Sequence, residues 1–295
     1  MSVENIKTVA VIGSGTMGSQ IAMVSSLGGY QVFLHDSSEE SLKRAETQLH
    51  GHMSRWKEKG RISEEGYQDA FARLVFTSDL AQAASHADLI IEAVPEKLEL
   101  KRQVFEQLDA LAPKHAILAT NSSFIPSSKI VDVTKRPEQV CNMHFFHPVL
   151  VMQFVEVVQG PHTSEVTAKT AYQFCKKIGK TPVHMKKEIE GFIANRILNR
   201  IIEEAFYLVE NGVATIEEVD LACTKALNHP IGPFALLDLS GLDIGYYNAM
   251  DKYKETGDEK DLPHPLLRER VERGDLGRKT GKGFYDYTEK AATTK

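Results

Sequence analysis

For about its first 160 residues the chain alternates short apolar runs with amphipathic stretches; beyond about residue 190 helical spacing prevails. Thr8–Ile12 predicts a buried strand. Met17, Ile21, Val24 and Leu27 recur at helical spacing, Gly28 and Gly29 stop that helix, and Gln31–His35 predicts a second strand. Residues 41–67 break the alternation: Leu42, Ala45, Leu49, Met53 and Trp56 form one helical stripe, and EKGRISEE turns the chain into another helix. The expectation is a helical hairpin inserted between early strands. Alternation resumes with a strand at residues 74–76, a short helix, a strand in ADLIIEAVPE and an amphipathic helix at Leu98–Leu111. The strand and exit loop of AILATNSS follow, then the strand candidates VCNMHF and FVEVVQG. This is the pattern of a doubly wound α/β domain.

After KKEIEG only helical periodicity is read. Residues 192–211 predict a helix with two apolar stripes, one through Ile193, Ile197, Ile201 and Ala205, the other through Leu198, Ile202, Phe206 and Val209. A surface helix needs one apolar face. Two predict two packing partners: its own domain and either the first domain or another subunit. Thr215 with Glu218 predicts a capping box opening the next helix. NHPIGPFALLDLSGLD reads as a broken connection between helices. LGRKTGKGFYDY closes the chain with glycine turns and aromatic anchors, and EKAATTK reads as a frayed tail. The expected organisation is an α/β domain over residues 1–187 and an all-α domain over residues 188–295.

Composition narrows the partners. A chain of 295 residues with 42% hydrophobic and 25% charged positions fits about two globular domains. A net charge of −5 leaves no nucleic-acid footprint, so a phosphate-bearing ligand must be met by a local patch or by backbone amides. Cys141, Cys175 and Cys223 form no CxxC pair, which fits reduced structural thiols in a cytosol-like compartment. The apolar stretch near the N-terminus is about five residues long, too short for a signal peptide or a membrane span. A cytoplasmic chain without a membrane partner is expected.

Candidate chemistry begins at Gly13, Gly15 and Gly18, which make GxGxxG between the first strand and helix; Asp36 ends the second strand, 18 residues after the last glycine. Gly13 permits the tight turn, Gly15 lets the backbone approach a pyrophosphate, and Gly18 lets helix and strand pack closely. The helix N-terminus offers free N–H groups to phosphates. Asp36 can accept bonds from a ribose and repels a 2′-phosphate, which favours NAD over NADP. Gly13, Asp36, Glu96, Ser123 and His144 all fall at or just after predicted strand ends, the rim where such sheets bind ligands.

His144 and Glu156 are twelve residues apart, so a strand, a turn near Pro148 and a return strand can bring them together. A carboxylate beside an imidazole fixes its tautomer, and histidine's ordinary pKa of about 6.5 suits proton transfer near neutrality. Beside a nicotinamide site this pair implies alcohol–ketone chemistry, with Ser123 and Asn195 able to reach the substrate. A metal set of His144, His147 and Glu156, with or without Cys141, lacks HExxH or paired CxxC spacing, and no metal is expected. Arg55, Lys57, Lys59 and Arg61, opposed by Glu58, read either as a solvated face or as a clamp for an anionic ligand.

These motifs, with MHFFHPVLVMQFVEVV, GFIANRI and HPIGPFALLDLSGLD, cover nearly the whole chain. The chain resembles L-3-hydroxyacyl-CoA dehydrogenases, especially short bacterial 3-hydroxybutyryl-CoA dehydrogenases. The resemblance implies an N-terminal Rossmann domain with an inserted hairpin, an all-α dimerisation domain and a place in fatty acid metabolism. It implies His144 as catalytic histidine, Glu156 as its partner, and Ser123 and Asn195 in the active site. Cofactor contacts fall on Gly13, Gly15, Met17, Gly18, Asp36, Glu96, Lys101, Ser123 and His147. An acyl-CoA contact falls near Lys59, which turns the reading of the basic cluster toward function. Three positions depart from the family pattern: His147 replaces an asparagine that helps place the nicotinamide, Phe124 replaces a small polar residue, and Glu190 replaces a proline. The resulting expectation is NAD-dependent interconversion of a (3S)-3-hydroxyacyl-CoA and a 3-oxoacyl-CoA. A dehydrogenase of a free hydroxy acid and a non-catalytic dinucleotide-binding protein are the rival readings.

Overall fold

Apolar and β-branched runs pair into one eight-stranded sheet, and the amphipathic stretches between them cover it on both faces. The computed structural model describes residues 2–288; the tail read as frayed lies outside the described residues. The chain forms two compact units, Met1–Ile193 and Ala194–Lys295. Sequence pattern alone puts a division between residues 187 and 188.

In the first unit β1 (Thr8–Ile12) leads into α1 (Thr16–Leu27) and β2 (Gln31–His35). A helical hairpin, α2 (Glu39–Glu58) and α3 (Glu64–Ala72), precedes β3 (Leu74–Thr77). Then come α4 (Leu80–Ala84), β4 (Leu89–Glu92), α5 (Leu98–Leu111), β5 (Ile117–Thr120), β6 (Val140–Phe145) and β7 (Phe154–Val158). The unit ends with α6 (Glu165–Lys177) and β8 (Thr181–Met185). The strand order is β3-β2-β1-β4-β5-β6-β7-β8. β1 to β6 run parallel, β7 runs antiparallel to β6, and β8 runs parallel to β7.

The side-chain period of two sorts the strands between two cores. Val9 and Val11 face one cluster with Ile21, Leu34, Leu49 and Met53; Ala10 and Ile12 face the other with Ile90, Phe105, Leu108 and Leu118. The stripe on α2 buries Leu42, Ala45, Leu49 and Met53, and the larger of these contribute roughly 1.5–3 kcal/mol each on full burial. Ser38 caps α2 by accepting from the Ser41 amide. Glu39 and Glu40 stand at its positive end and Arg55 and Lys57 at its negative end, so local charge also favours the helix.

Two elements were not anticipated, α6 and the edge strand β8. The predicted helix at residues 192–211 also begins later, because Phe192 has a left-handed backbone (φ 49°) and cannot be its first turn.

The second unit is helical: α7 (Ala194–Glu210), α8 (Ile216–Lys225), α9 (Pro233–Ser240), α10 (Leu242–Thr256) and α11 (Pro265–Glu272). Phe206, Phe234, Leu242, Leu267 and Phe284 form its core. The Thr215–Glu218 capping box is present. Asp220 accepts from the Phe234 and Ala235 amides at the start of α9 and from the Tyr285 hydroxyl. Asp238 accepts from the Phe284 and Tyr285 amides and the Tyr287 hydroxyl, so the closing aromatics are tied by polar bonds as well as burial. Among the described residues no helix is long and apolar enough to cross a membrane.

Candidate active site

β1 is flanked by β2 and β4, so consecutive crossovers leave it in opposite directions and a crevice opens at its carboxyl end. Gly13 turns there with φ 105°, and a side chain on it would meet the Ala93 carbonyl. A Cβ on Gly18 would lie 1.8 Å from the Gly13 oxygen, which makes Gly18 the close-packing glycine. A Cβ on Gly15 would meet nothing within 4 Å, so open space lies before the first turn of α1. Gly15 caps α1 without a side-chain bond, and the first-turn amides, including those of Met17 and Gly18, point past it. The Met17 side chain itself packs against the core.

Asp36 follows β2. Its Oδ2 accepts from the Ser14 amide (2.8 Å) and hydroxyl (2.9 Å), and Oδ1 accepts from the Ser38 amide (3.0 Å). A carboxylate has about four acceptor sites, so capacity remains for a ribose hydroxyl. Burial pushes its pKa up, but these bonds outweigh burial and hold it below the ordinary value. The cradle therefore fits NAD by its open glycine, free amides and fixed anionic acceptor.

Across the crevice, Glu92 ends β4 fully buried. Its Oε1 accepts from Lys101 Nζ (2.8 Å) and the Val94 amide (2.7 Å), and its Oε2 accepts from the Thr120 hydroxyl (2.7 Å). Burial raises the Glu92 pKa against the pull of Lys101 and these bonds. Lys101 also stands 3.1 Å from Glu96 Oε2, and only 1% of its side chain is exposed. Glu96 organises the loop after β5: its Oε1 accepts from the Ser122 hydroxyl and, at 3.2 Å, from the Phe124 amide. Burial opposes ionisation of Glu96, but Lys101 and Ser122 outweigh it and the pKa falls. Asn142 on β6 completes the support, its Oδ1 accepting from the Ser127 amide at 2.7 Å. Ser122 is the buried serine; Ser123 beside it is half-buried.

His144 and Glu156 are register partners across the antiparallel pair β6 and β7. His144 Nδ1–H donates to Glu156 Oε2 at 2.7 Å, the carboxylate assigning the tautomer. Glu156 Oε1 accepts from the Ile193 amide at 2.9 Å. Both side chains are buried, and the His144 ring lies 4.4 Å from the Phe146 ring and 5.6 Å from Phe192. Phe145 points into the core. His147 is exposed, its bond to Pro148 is cis, and the Pro148 carbonyl closes the turn by accepting from the Val151 and Met152 amides. Among the described residues no group of three or more histidines, cysteines and carboxylates stands together as a metal set.

Gly13, Gly15, Gly18, Asp36, Glu96, Ser123 and His144 thus share the carboxyl rim of the sheet, with Lys101 beneath it. Lys59 caps the far end of α2, exposed, and forms no ion pair among the described residues, whereas Lys57 pairs with Glu64 at 2.8 Å. Asn195 lies in the first turn of α7, in the other unit. Sequence reasoning missed Glu92, Ser122, Asn142 and Phe192. Glu92 had a signal, a lone acid closing an apolar run nine residues before Lys101. The others had none that pattern alone exposes.

Residues 8–189 match the family model of the 3-hydroxyacyl-CoA dehydrogenase NAD binding domain, and residues 191–287 that of the 3-hydroxyacyl-CoA dehydrogenase C-terminal domain. A probable 3-hydroxybutyryl-CoA dehydrogenase of Bacillus subtilis is 40% identical over 287 residues, spanning 97% of this chain and 99% of that protein. A 3-hydroxybutyryl-CoA dehydrogenase of Clostridioides difficile is 40% identical over 279 residues, spanning 95% and 99%. The crystal structure of (S)-3-hydroxybutyryl-CoA dehydrogenase from Ralstonia eutropha superposes with a TM-score of 0.89 at 36% identity, covering 96% of this chain and all (100%) of that one.

Proposed function

The chain belongs to the 3-hydroxyacyl-CoA dehydrogenase family and is an NAD-dependent dehydrogenase; from that premise we propose that it interconverts (3S)-3-hydroxybutyryl-CoA and acetoacetyl-CoA. The observation that carries the chemistry is the 2.7 Å bond from His144 Nδ1 to Glu156, on the sheet that also bears the glycine cradle. That bond leaves His144 Nε2 as the working atom. In oxidation Nε2 takes the substrate hydroxyl proton, and in reduction it returns that proton to the carbonyl oxygen. NAD supplies the acceptor for the hydride that leaves the same carbon. Buried Glu156 stabilises the imidazolium while it holds the proton. Phe146 and Phe192 exclude water from the ring. Ser123 bonds the substrate oxygen, the loop that carries it being held by Glu96 and Asn142, and Asn195 carries the amide that the family resemblance assigns to a substrate contact.

The glycine loop, the Met17 and Gly18 amides and Asp36 hold the dinucleotide, with Glu96, Lys101 and His147 completing its surroundings. His147 stands in place of the family asparagine and donates a hydrogen bond toward the nicotinamide. Lys59 meets the CoA phosphates; its exposure, with no ion pair to it among the described residues, supports that role. In this reading residues 1–187 bind the dinucleotide, and residues 188–295 shape the substrate site and pair two copies. Exposed Ile197, Tyr207, Leu227 and Tyr247 on the helical unit support the pairing; light scattering tests it, and a strictly monomeric mass refutes it.

NADH consumption with acetoacetyl-CoA beside free acetoacetate tests the reaction. Turnover is expected with the thioester alone. Equal rates sink the CoA assignment. NADH binding without turnover of either substrate sinks the enzymatic one.

A further inference from the structure

We infer that Phe192 is a positioning residue for the His144–Glu156 pair, an inference that rests on the reading of His144 as the acid–base group. Among the described residues two non-glycine positions have positive φ, Asn228 and Phe192. Asparagine adopts that region readily, because its short polar side chain bonds locally; phenylalanine is a true outlier there. Gly191 before it is also left-handed (φ 74°), so two successive residues reverse the chain after β8.

The reversal has two effects at one place. It aims the next amide, Ile193 N–H, at Glu156 Oε1 (2.9 Å), which leaves Oε2 directed at His144. It also brings the Phe192 ring to 5.6 Å from the imidazole, tilted by 52°, while Phe146 lies 4.4 Å from the same imidazole. One residue therefore fixes the carboxylate through its backbone and walls the imidazole with its side chain. An ordinary core phenylalanine would pack against Val158 and Met185, as Phe192 does. Packing alone does not call for a left-handed backbone; delivery of the Ile193 amide does.

The test uses the full-length enzyme with Phe192→Ala and Phe192→Leu, their folding checked by circular dichroism, and His144→Gln in parallel. Misplacing a reacting group by about 1 Å costs up to ~10²-fold in rate. Phe192→Ala is expected to lower kcat with acetoacetyl-CoA by roughly 10- to 100-fold, and Phe192→Leu by less, with the Kd of NADH within about twofold of the parent. The downfield proton resonance of the His144–Glu156 bond is expected to weaken in step with kcat. A purely structural role predicts loss of stability and of NADH affinity together, with the resonance unmoved in the folded fraction, and that result overturns the inference. So does a parent-like kcat in Phe192→Ala, or in Phe192→Leu should the alanine variant not fold. An inactive His144→Gln beside a normal Phe192→Ala removes this inference alone. An active His144→Gln removes the parent reading and this one with it.

Discussion

Replacing Lys101 with methionine isolates the buried charge cluster beneath the crevice. Glu92 is fully buried and Lys101 nearly so, with 2.8 Å between Nζ and Oε1. At that distance, and at an effective dielectric constant of about 20, the attraction is roughly 6 kcal/mol, which desolvation of both ions largely offsets. Removing the cation alone deletes the attraction and leaves the carboxylate buried with two neutral donors, Thr120 and the Val94 amide. Lys101→Met should therefore destabilise the protein by about 3–5 kcal/mol, the usual scale for breaking a buried pair. For a unit of this size that lowers Tm by roughly 10 °C.

The pH dependence is a sharper check. Burial already raises the Glu92 pKa against the pull of Lys101, and loss of Lys101 raises it further. A group with a raised folded-state pKa contributes stability that is complete below its unfolded value and is lost as pH rises through its folded value. The deficit of the variant should thus be larger at about pH 8 than at about pH 5.5, and adding Glu92→Gln should recover about half of it or more. Urea denaturation of the single and double variants at both pH values measures this. A deficit under about 1 kcal/mol, or one flat with pH, refutes the reasoning.

His144→Gln should lower kcat by at least ~10²-fold at unchanged NADH affinity, measured by steady-state kinetics beside a fluorescence titration; near-normal turnover rules out this base. Glu156→Gln should cost at least roughly tenfold in kcat, because an amide no longer stabilises the imidazolium; parent-like kcat counts against the pairing. Asp36→Asn should weaken NADH about tenfold and narrow its preference over NADPH, read by titration with both cofactors. Gly18→Ala places a methyl 1.8 Å from a backbone oxygen, so the variant should fail to fold; a parent-like thermal melt excludes that packing role. His147→Asn should keep the reaction, because an asparagine amide also donates toward the nicotinamide; abolished turnover in steady-state kinetics counts against that role.

The elements that were legible in the sequence are those whose burial follows a period. The α2 stripe and the covered parallel strands display their packing in their spacing. β8 was hidden because TPVHM is a half-exposed edge strand broken by Pro182, with no apolar run to mark it. The His144–Glu156 pair was legible because two strands and a turn leave few ways to join them. Phe192 was not: it directly precedes the helical stripe that begins at Ile193, and nothing in the residue type announces a positive φ. That Ser122 turns toward Glu96 is set by how the loop after β5 folds, which the residue type alone does not announce.

The placement of His144 and Glu156 on facing strands sets which length changes leave the two side chains opposed. His144 and Glu156 meet through strand register, not through the turn at residues 146–153 that joins their strands. An insertion in that turn lengthens a loop and leaves the pair opposed. One extra residue inside either strand sends one partner to the opposite face of the sheet. The two strands thus resist length change, and within the turn the buried Val149 and Leu150 leave only the exposed positions around them open to insertion.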